Sequence, residues 1–258
     1  LSENIKNMPS SGIRKFFVVA NTMEGVISLG VGEPDFETPW HVREAAISSL
    51  EKGYTSYSSN TGMIELRKAI ASYLDEKYSI SYDPEHQILV TIGASEGIDI
   101  SLRAIINPGD EVLVVEPSYV SYKPCVSMCG GVPIPVVTYE ENNFKVTPDE
   151  ILNKITPKTK AIILPYPNNP TGGIMEIDDL AAISKVIIEN DLLVISDEIY
   201  SELTYGSQHV SIASLPGMYE RTIVLNGFSK AFAMTGWRLG YACGPEELIF
   251  NMNKICFY

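Results

Sequence analysis

The chain has 258 residues, 45% of them apolar and 20% charged, enough for one large folded unit with a substantial core. Its 32 acidic and 19 basic residues leave a net charge of −13, which argues against a nucleic-acid backbone as partner. No apolar run is long enough to span a bilayer and no signal peptide is visible, so a soluble, cytoplasmic protein is expected.

Up to Thr38 the pattern is irregular, with a helix candidate over 10–20, a short apolar run at 26–29 and a Gly/Pro-rich turn. From Pro39 onward it becomes regular. Apolar residues recur at helical spacing over 40–52 and 64–78. Short apolar, β-branched runs follow at 88–92, 111–115, 132–136, 161–164, 192–196, 222–225 and 239–243, with helical patterns at 95–106, 149–154 and 177–189 between them. This alternation predicts an α/β fold, a mostly parallel central sheet with helices on both faces. Pro133 and Pro135 mark the third run as an edge strand. Four cysteines, at 125, 129, 243 and 256, show no paired framework; Cys125 and Cys129 can share one helical face. His41, His86 and His209 are far from them in sequence, so no metal is expected, and the thiols are expected buried and free.

In such a sheet, ligands bind beyond the carboxyl ends of the strands, which makes the residues after each strand informative. After the first run come Gly93, Ala94 and Ser95, leading into a helix whose N-terminal amides suit an anion. After the second comes Tyr119, able to stack on a planar heterocycle or simply to pack. Asn169 follows 161–164 within a turn sequence and can donate to a phenolate oxygen. Asp197 and Tyr200 follow 192–196. A carboxylate at a buried strand end needs a partner, and a pyridinium nitrogen is one, although a helix cap or a surface pair would also serve. Lys230 follows 222–225, where partial desolvation favours a neutral amine able to form a Schiff base. Arg238 adds a donor fork for phosphate. Together these are the groups that pyridoxal 5′-phosphate (PLP) requires of a protein.

The same motifs carry a family resemblance: Gly30-Val-Gly32-Glu-Pro-Asp-Phe36, Tyr57 with Gly62-Met-Ile-Glu-Leu-Arg67, Gly93-Ala-Ser95, Asn169-Pro-Thr-Gly172, Ser196-Asp197-Glu-Ile-Tyr200, and Ser229-Lys230 through Arg238. The chain resembles a PLP-dependent fold-type I aminotransferase of class I/II. The resemblance implies that Lys230 bonds to the cofactor and shuttles the substrate proton, with Asp197 on the ring nitrogen and Asn169 and Tyr200 on the phenolate oxygen. It places Tyr119 on the ring face, and Gly93, Ala94, Ser95 and Arg238 around the phosphate. Tyr57 is expected to reach the phosphate of a neighbouring subunit, which implies a homodimer. Gly32, with Asn169, is implied in substrate binding, the Gly32 amide meeting the substrate carboxylate.

By the same resemblance, 1–38 forms an N-terminal arm and small-domain segment and 39–258 the PLP-binding large domain. The C-terminal small domain, with the arginine that clamps the substrate carboxylate, is expected to be missing from this chain. Its absence is expected to expose Phe16, Phe17 and the helix over 248–258. The implied reaction moves an amino group between an L-amino acid and a 2-oxo acid. Residues 11–16 and 197–204 resemble aromatic-preferring or broad-specificity members and also acetyl-diaminopimelate aminotransferases. A carbon–sulfur β-lyase of the same fold and an inactive cofactor-binding fragment are the alternatives. A nicotinamide dehydrogenase is disfavoured, because no Gly-x-Gly-x-x-Gly opens the first strand–helix unit.

Overall fold

The computed structural model describes residues 32–257, together with 2–6, 8, 19, 22, 23, 25 and 27. Apart from residues 19 and 27, the helix expected over 10–20 and the run at 26–29 lie outside the described residues, as do Gly30, Phe16 and Phe17.

The described helices are α1 (Glu3–Lys6), α2 (Trp40–Glu51), α3 (Ile64–Tyr78), α4 (Gly93–Ile105), α5 (Tyr122–Met128), α6 (Pro148–Leu152), α7 (Ile177–Glu189) and α8 (Glu246–Cys256). The strands are β1 (Ile88–Thr91), β2 (Glu111–Glu116), β3 (Val132–Val137), β4 (Thr159–Leu164), β5 (Leu193–Asp197), β6 (Thr222–Gly227) and β7 (Gly240–Cys243). They form one sheet in the order β1-β7-β6-β5-β4-β2-β3. All neighbours run parallel except β7, which is antiparallel to both β1 and β6. The proline-bearing β3 lies at the edge, where a missing ladder donor costs least.

Alternate residues of the central strands feed opposite faces. Leu113, Val115, Ile162, Leu164 and Val194 pack with Ile151 of α6 and Leu180, Ile183 and Ile187 of α7. Val112, Val114, Ile163, Ile195, Ile223 and Leu225 pack on the other side with Ile98 and Leu102 of α4, Val126 of α5, and Ile249 and Met252 of α8. Fully burying one such Leu or Ile side chain stabilises by about 1.5–3 kcal/mol. Burial on both faces explains the unbroken apolar strands. A smaller cluster sets Ile70, Leu74 and Tyr78 of α3 against Ile88, Val224 and Tyr241. The short α6 is held by a capping box: Thr147 Oγ1 accepts from the Glu150 amide at 3.4 Å, and the Glu150 carboxylate accepts from the Thr147 amide at 2.8 Å.

Of the cysteines, only Cys243 is fully buried; Cys125, Cys129 and Cys256 are intermediate, and all four are free. Burial pushes the Cys125 thiol up to about 11. On α8, Ile249 and Met252 are buried while Phe250 and Phe257 are each 59% exposed.

Candidate active site

β5 delivers Asp197 at its last position, 5% exposed. Its Oδ2 accepts from the Tyr122 hydroxyl at 2.8 Å, and Oδ1 accepts from the Ile199 amide at 3.3 Å. Among the described residues no cation pairs with it. Burial therefore raises its pKa from 3.8 to about 6, against the two hydrogen bonds that favour the charged form. This strand end holds a desolvated carboxylate that a cationic ring nitrogen would satisfy.

The turn after β5 carries Tyr200, whose hydroxyl accepts from Asn169 Nδ2 at 3.3 Å. Asn169 stands on the loop after β4, so two adjacent strand ends bring these groups together. Tyr119, on the loop after β2, meets Tyr122 edge to face, with ring centroids 5.6 Å apart.

Lys230 stands three residues beyond β6, its Nζ 5.8 Å from the centre of the Tyr200 ring. The amine donates to the Gly32 carbonyl at 2.7 Å. Burial lowers its pKa; the nearby Arg238 lowers it too, and Glu33 opposes. An amine with a lowered pKa is more often neutral, the form that attacks a carbonyl.

The loop from Lys230 to β7 turns through left-handed backbone at Ala233 (φ 50°) and Arg238 (φ 54°), on either side of a 3-10 turn at Thr235–Trp237. Non-glycine residues seldom adopt that conformation, so surrounding contacts must hold it. Arg238 Nη1 donates to the Thr235 carbonyl at 3.1 Å. A Cβ added to Gly93 would lie 2.6 Å from Arg238 Nη2, and Gly93 itself has φ +73°. Gly240 is pressed as closely, since a Cβ there would meet the Ala94 amide nitrogen at 2.6 Å. The two glycines let β7 and the first turn of α4 close on the guanidinium. The Glu96 carboxylate accepts from the Ile92 amide at 2.5 Å, while the amides of the turn itself and the Arg238 guanidinium converge as an anion cup. Ser95 is exposed within it. The first turn begins at Gly93, two residues before the helical pattern expected from the sequence.

The remaining expected groups sit as follows. Gly32 reaches Lys230 through its carbonyl, as described, while the sequence reading invoked its amide. Tyr57 projects fully into solvent, at 108% relative exposure. Two residues were not foreseen. Tyr122 is buried and supplies the side-chain donor to Asp197; its position on α5, one turn beyond Tyr119, was the available signal. Thr38 is buried and ties the segment after Gly32 to the lysine loop, donating to the Ala233 carbonyl at 2.6 Å and accepting from Trp237 Nε1 at 3.0 Å. Nothing in the local sequence marks Thr38, because both partners lie about 200 residues away.

An α/β sheet with an amine, a buried carboxylate and an anion cup at its strand ends defines an enzyme that works through a bound cofactor. The chain belongs to the aminotransferase class I and II family, which it matches over residues 24–256. It is 52% identical along its whole length to the putative aminotransferase YugH of Bacillus subtilis, covering 67% of that protein. It is 46% identical to aromatic-amino-acid aminotransferase 2 of Thermococcus litoralis, again over its whole length and 67% of the relative. The structure of Thermus thermophilus aspartate aminotransferase with maleate superposes with a TM-score of 0.94 at 40% identity, over 99% of this chain and 67% of that one. The chain thus spans about two thirds of the length of these relatives. The family is PLP-dependent, and the residues present fit PLP: a buried carboxylate without a cation for the ring nitrogen, a desolvated amine for the aldehyde and an anion cup for the phosphate. Among the described residues no helix is long and apolar enough to cross a membrane, and no cluster of His, Cys, Asp or Glu could hold a metal ion.

Proposed function

We propose that the protein moves an amino group between an L-amino acid, aromatic or broadly chosen, and a 2-oxo acid, with Lys230 as its Schiff-base lysine. The observation that carries this reading is the half-buried Lys230 amine 5.8 Å from the Tyr200 ring centre, with the buried Asp197 carboxylate, cation-free among the described residues, at the start of the same turn. When bound, PLP supplies the electron-withdrawing ring that makes the substrate Cα–H bond acidic. Asp197, fixed by Tyr122, would hold the ring nitrogen. Asn169 and Tyr200 would hold the phenolate oxygen, and Tyr119 would lie against the ring. Arg238 with the amides of Gly93, Ala94 and Ser95 would hold the phosphate. The Lys230 amine would bond the aldehyde and is the base at hand to move a proton at the substrate Cα. Gly32 would border the substrate, with 1–38 read as an N-terminal arm and small-domain segment and 39–258 as the large domain.

A second copy of the chain completes the site in this reading. Helix α2 has no buried residue, and Trp40, Leu50 and Tyr54 are 59%, 64% and 74% exposed beside the fully exposed Tyr57. Exposed large apolar side chains gathered along one short segment are what an association surface supplies. The four free thiols accord with a reducing compartment such as the cytoplasm.

The test is the absorbance spectrum of the protein with PLP, before and after borohydride, beside Lys230→Ala. A visible band that borohydride abolishes, with the cofactor then fixed to the peptide containing Lys230, is expected. No band in the wild type, or an unchanged band in Lys230→Ala, would overturn the assignment. Amino transfer from tyrosine or phenylalanine to 2-oxoglutarate then tests the substrate class.

A further inference from the structure

Glu198, next to Asp197, is 1% exposed, yet the reading above gives it no part. Its Oε1 accepts from Ser196 Oγ at 2.8 Å and from Ser211 Oγ at 2.7 Å. Its Oε2 meets Nε2 of His209 at 2.9 Å, and the side chain of His209 is itself only 8% exposed. The imidazole packs edge to face on Tyr78 of α3, centroids 5.5 Å apart. The backbone of Glu198 is held as firmly: its amide donates to the Leu225 carbonyl of β6 at 2.8 Å, and its carbonyl accepts from the Ser201 amide at 2.9 Å. The corner carrying Asp197 and Tyr200 therefore turns around one buried, fully bonded carboxylate.

Burying a carboxylate beside an imidazole is a poor way to gain stability, because desolvating both groups offsets most of their attraction. Apolar side chains of similar volume would serve a purely structural corner at least as well. The charged groups facing this pair are few. Tyr78, Tyr82, Tyr241 and Cys243 have thiol or phenol pKa values raised by burial and stay neutral, which leaves two carboxylates nearby: Asp197, and Glu202, which accepts from the Tyr78 hydroxyl at 2.7 Å and pairs with Lys77. Glu198 adds to the upward push on Asp197.

We propose that His209 and Glu198 are a positioning pair for the cofactor site, with His209 anchoring Glu198 so that the corner presents Asp197 and Tyr200 at fixed places. The proposal rests on the PLP reading of the site. Neither residue touches the reacting atoms; both act through Asp197 and Tyr200.

Four variants of the whole protein test it: His209→Ala, His209→Gln, Ser211→Ala and a distant core control, Ile183→Val. Each is titrated with PLP by absorbance and melted, and amide hydrogen exchange over 198–201 is followed in the cofactor-free form. His209→Ala is expected to weaken PLP affinity about tenfold, as loss of an outer-shell partner typically does, and to speed exchange at the corner. His209→Gln, which keeps a donor toward Oε2, is expected to recover most of that affinity. Ser211→Ala, the gentler change should His209→Ala not fold, is expected to weaken PLP by a few-fold. Ile183→Val is expected to lower the melting temperature without changing PLP affinity. The proposal is overturned if His209→Ala binds PLP as the wild type does, if Gln fails as badly as Ala, or if the control loses affinity equally. A wild type that binds no PLP would instead overturn the reading of the site itself.

Discussion

Asp197 shows what the site costs the fold. Its folded pKa of about 6 lies above the ordinary 3.8, so the folded state holds a proton that the unfolded chain has already released across that interval. Stability from this group is present below pH 4, declines as pH rises toward 6, and stays lower above it, a difference of about 3 kcal/mol. Asp197→Asn should therefore stabilise the cofactor-free protein at pH 8 by up to that amount, and by almost nothing at pH 4, while abolishing tight PLP binding. Denaturant midpoints at the two pH values check the first statement, and an absorbance titration the second. Tyr122→Phe acts in the opposite sense on the same carboxylate. Removing the 2.8 Å donor lets the Asp197 pKa climb further and should weaken PLP binding by roughly 10- to 100-fold, the worth of a hydrogen bond to a charged group. Unchanged affinity in Tyr122→Phe would mean that Asp197 needs no such support.

At the scale of elements, the first turn of α4 is where backbone conformation and chemistry meet. Gly93→Ala combines a disfavoured positive φ with a Cβ set against Arg238, so it should cost about 1 kcal/mol of stability but far more of the phosphate affinity. Phosphate inhibition or PLP titration beside a melting curve separates the two effects. Helices α3 and α7 were legible to the residue, because their apolar spacing is continuous and one face of each is buried. The inner strands were legible because burial on both faces keeps their middle positions apolar, while β3, partly exposed at the edge, was marked by its β-branched run with two prolines. Helix α5 was not: it is seven residues long and carries Pro124 in its first turn, so no period could emerge. Lys230, Asp197 and Asn169 stood out as candidates because each lies at or just beyond the end of its own strand, and Arg238 because it stands just before β7. Tyr122 and Thr38 could not, since their roles arise from contacts across the folded sheet.

For the whole molecule, the outer face of α2 decides between one copy and two. Leu50→Glu places a charge on a helix with no buried residue, so it should leave the monomer's fold intact while converting a dimer to monomers in light scattering. A chain that is monomeric before the substitution would remove the shared-site reading. Tyr57→Phe, by contrast, should leave assembly unchanged and weaken PLP alone.

The antiparallel β7 also sets an order of events during synthesis. It stands between β1 and β6, so β1, although made first, has no strand neighbour until a segment about 150 residues later has emerged. At ordinary elongation rates that is a wait of roughly 10–30 s. Meanwhile β2 to β6 can already pair with one another as a nascent parallel core. Arg238 and Gly240 arrive with the strand that recruits β1, and β1 brings Gly93 and Ala94 behind it. The Arg238–Gly93 cup therefore closes only when β7, made about 150 residues after β1, slots between β1 and β6.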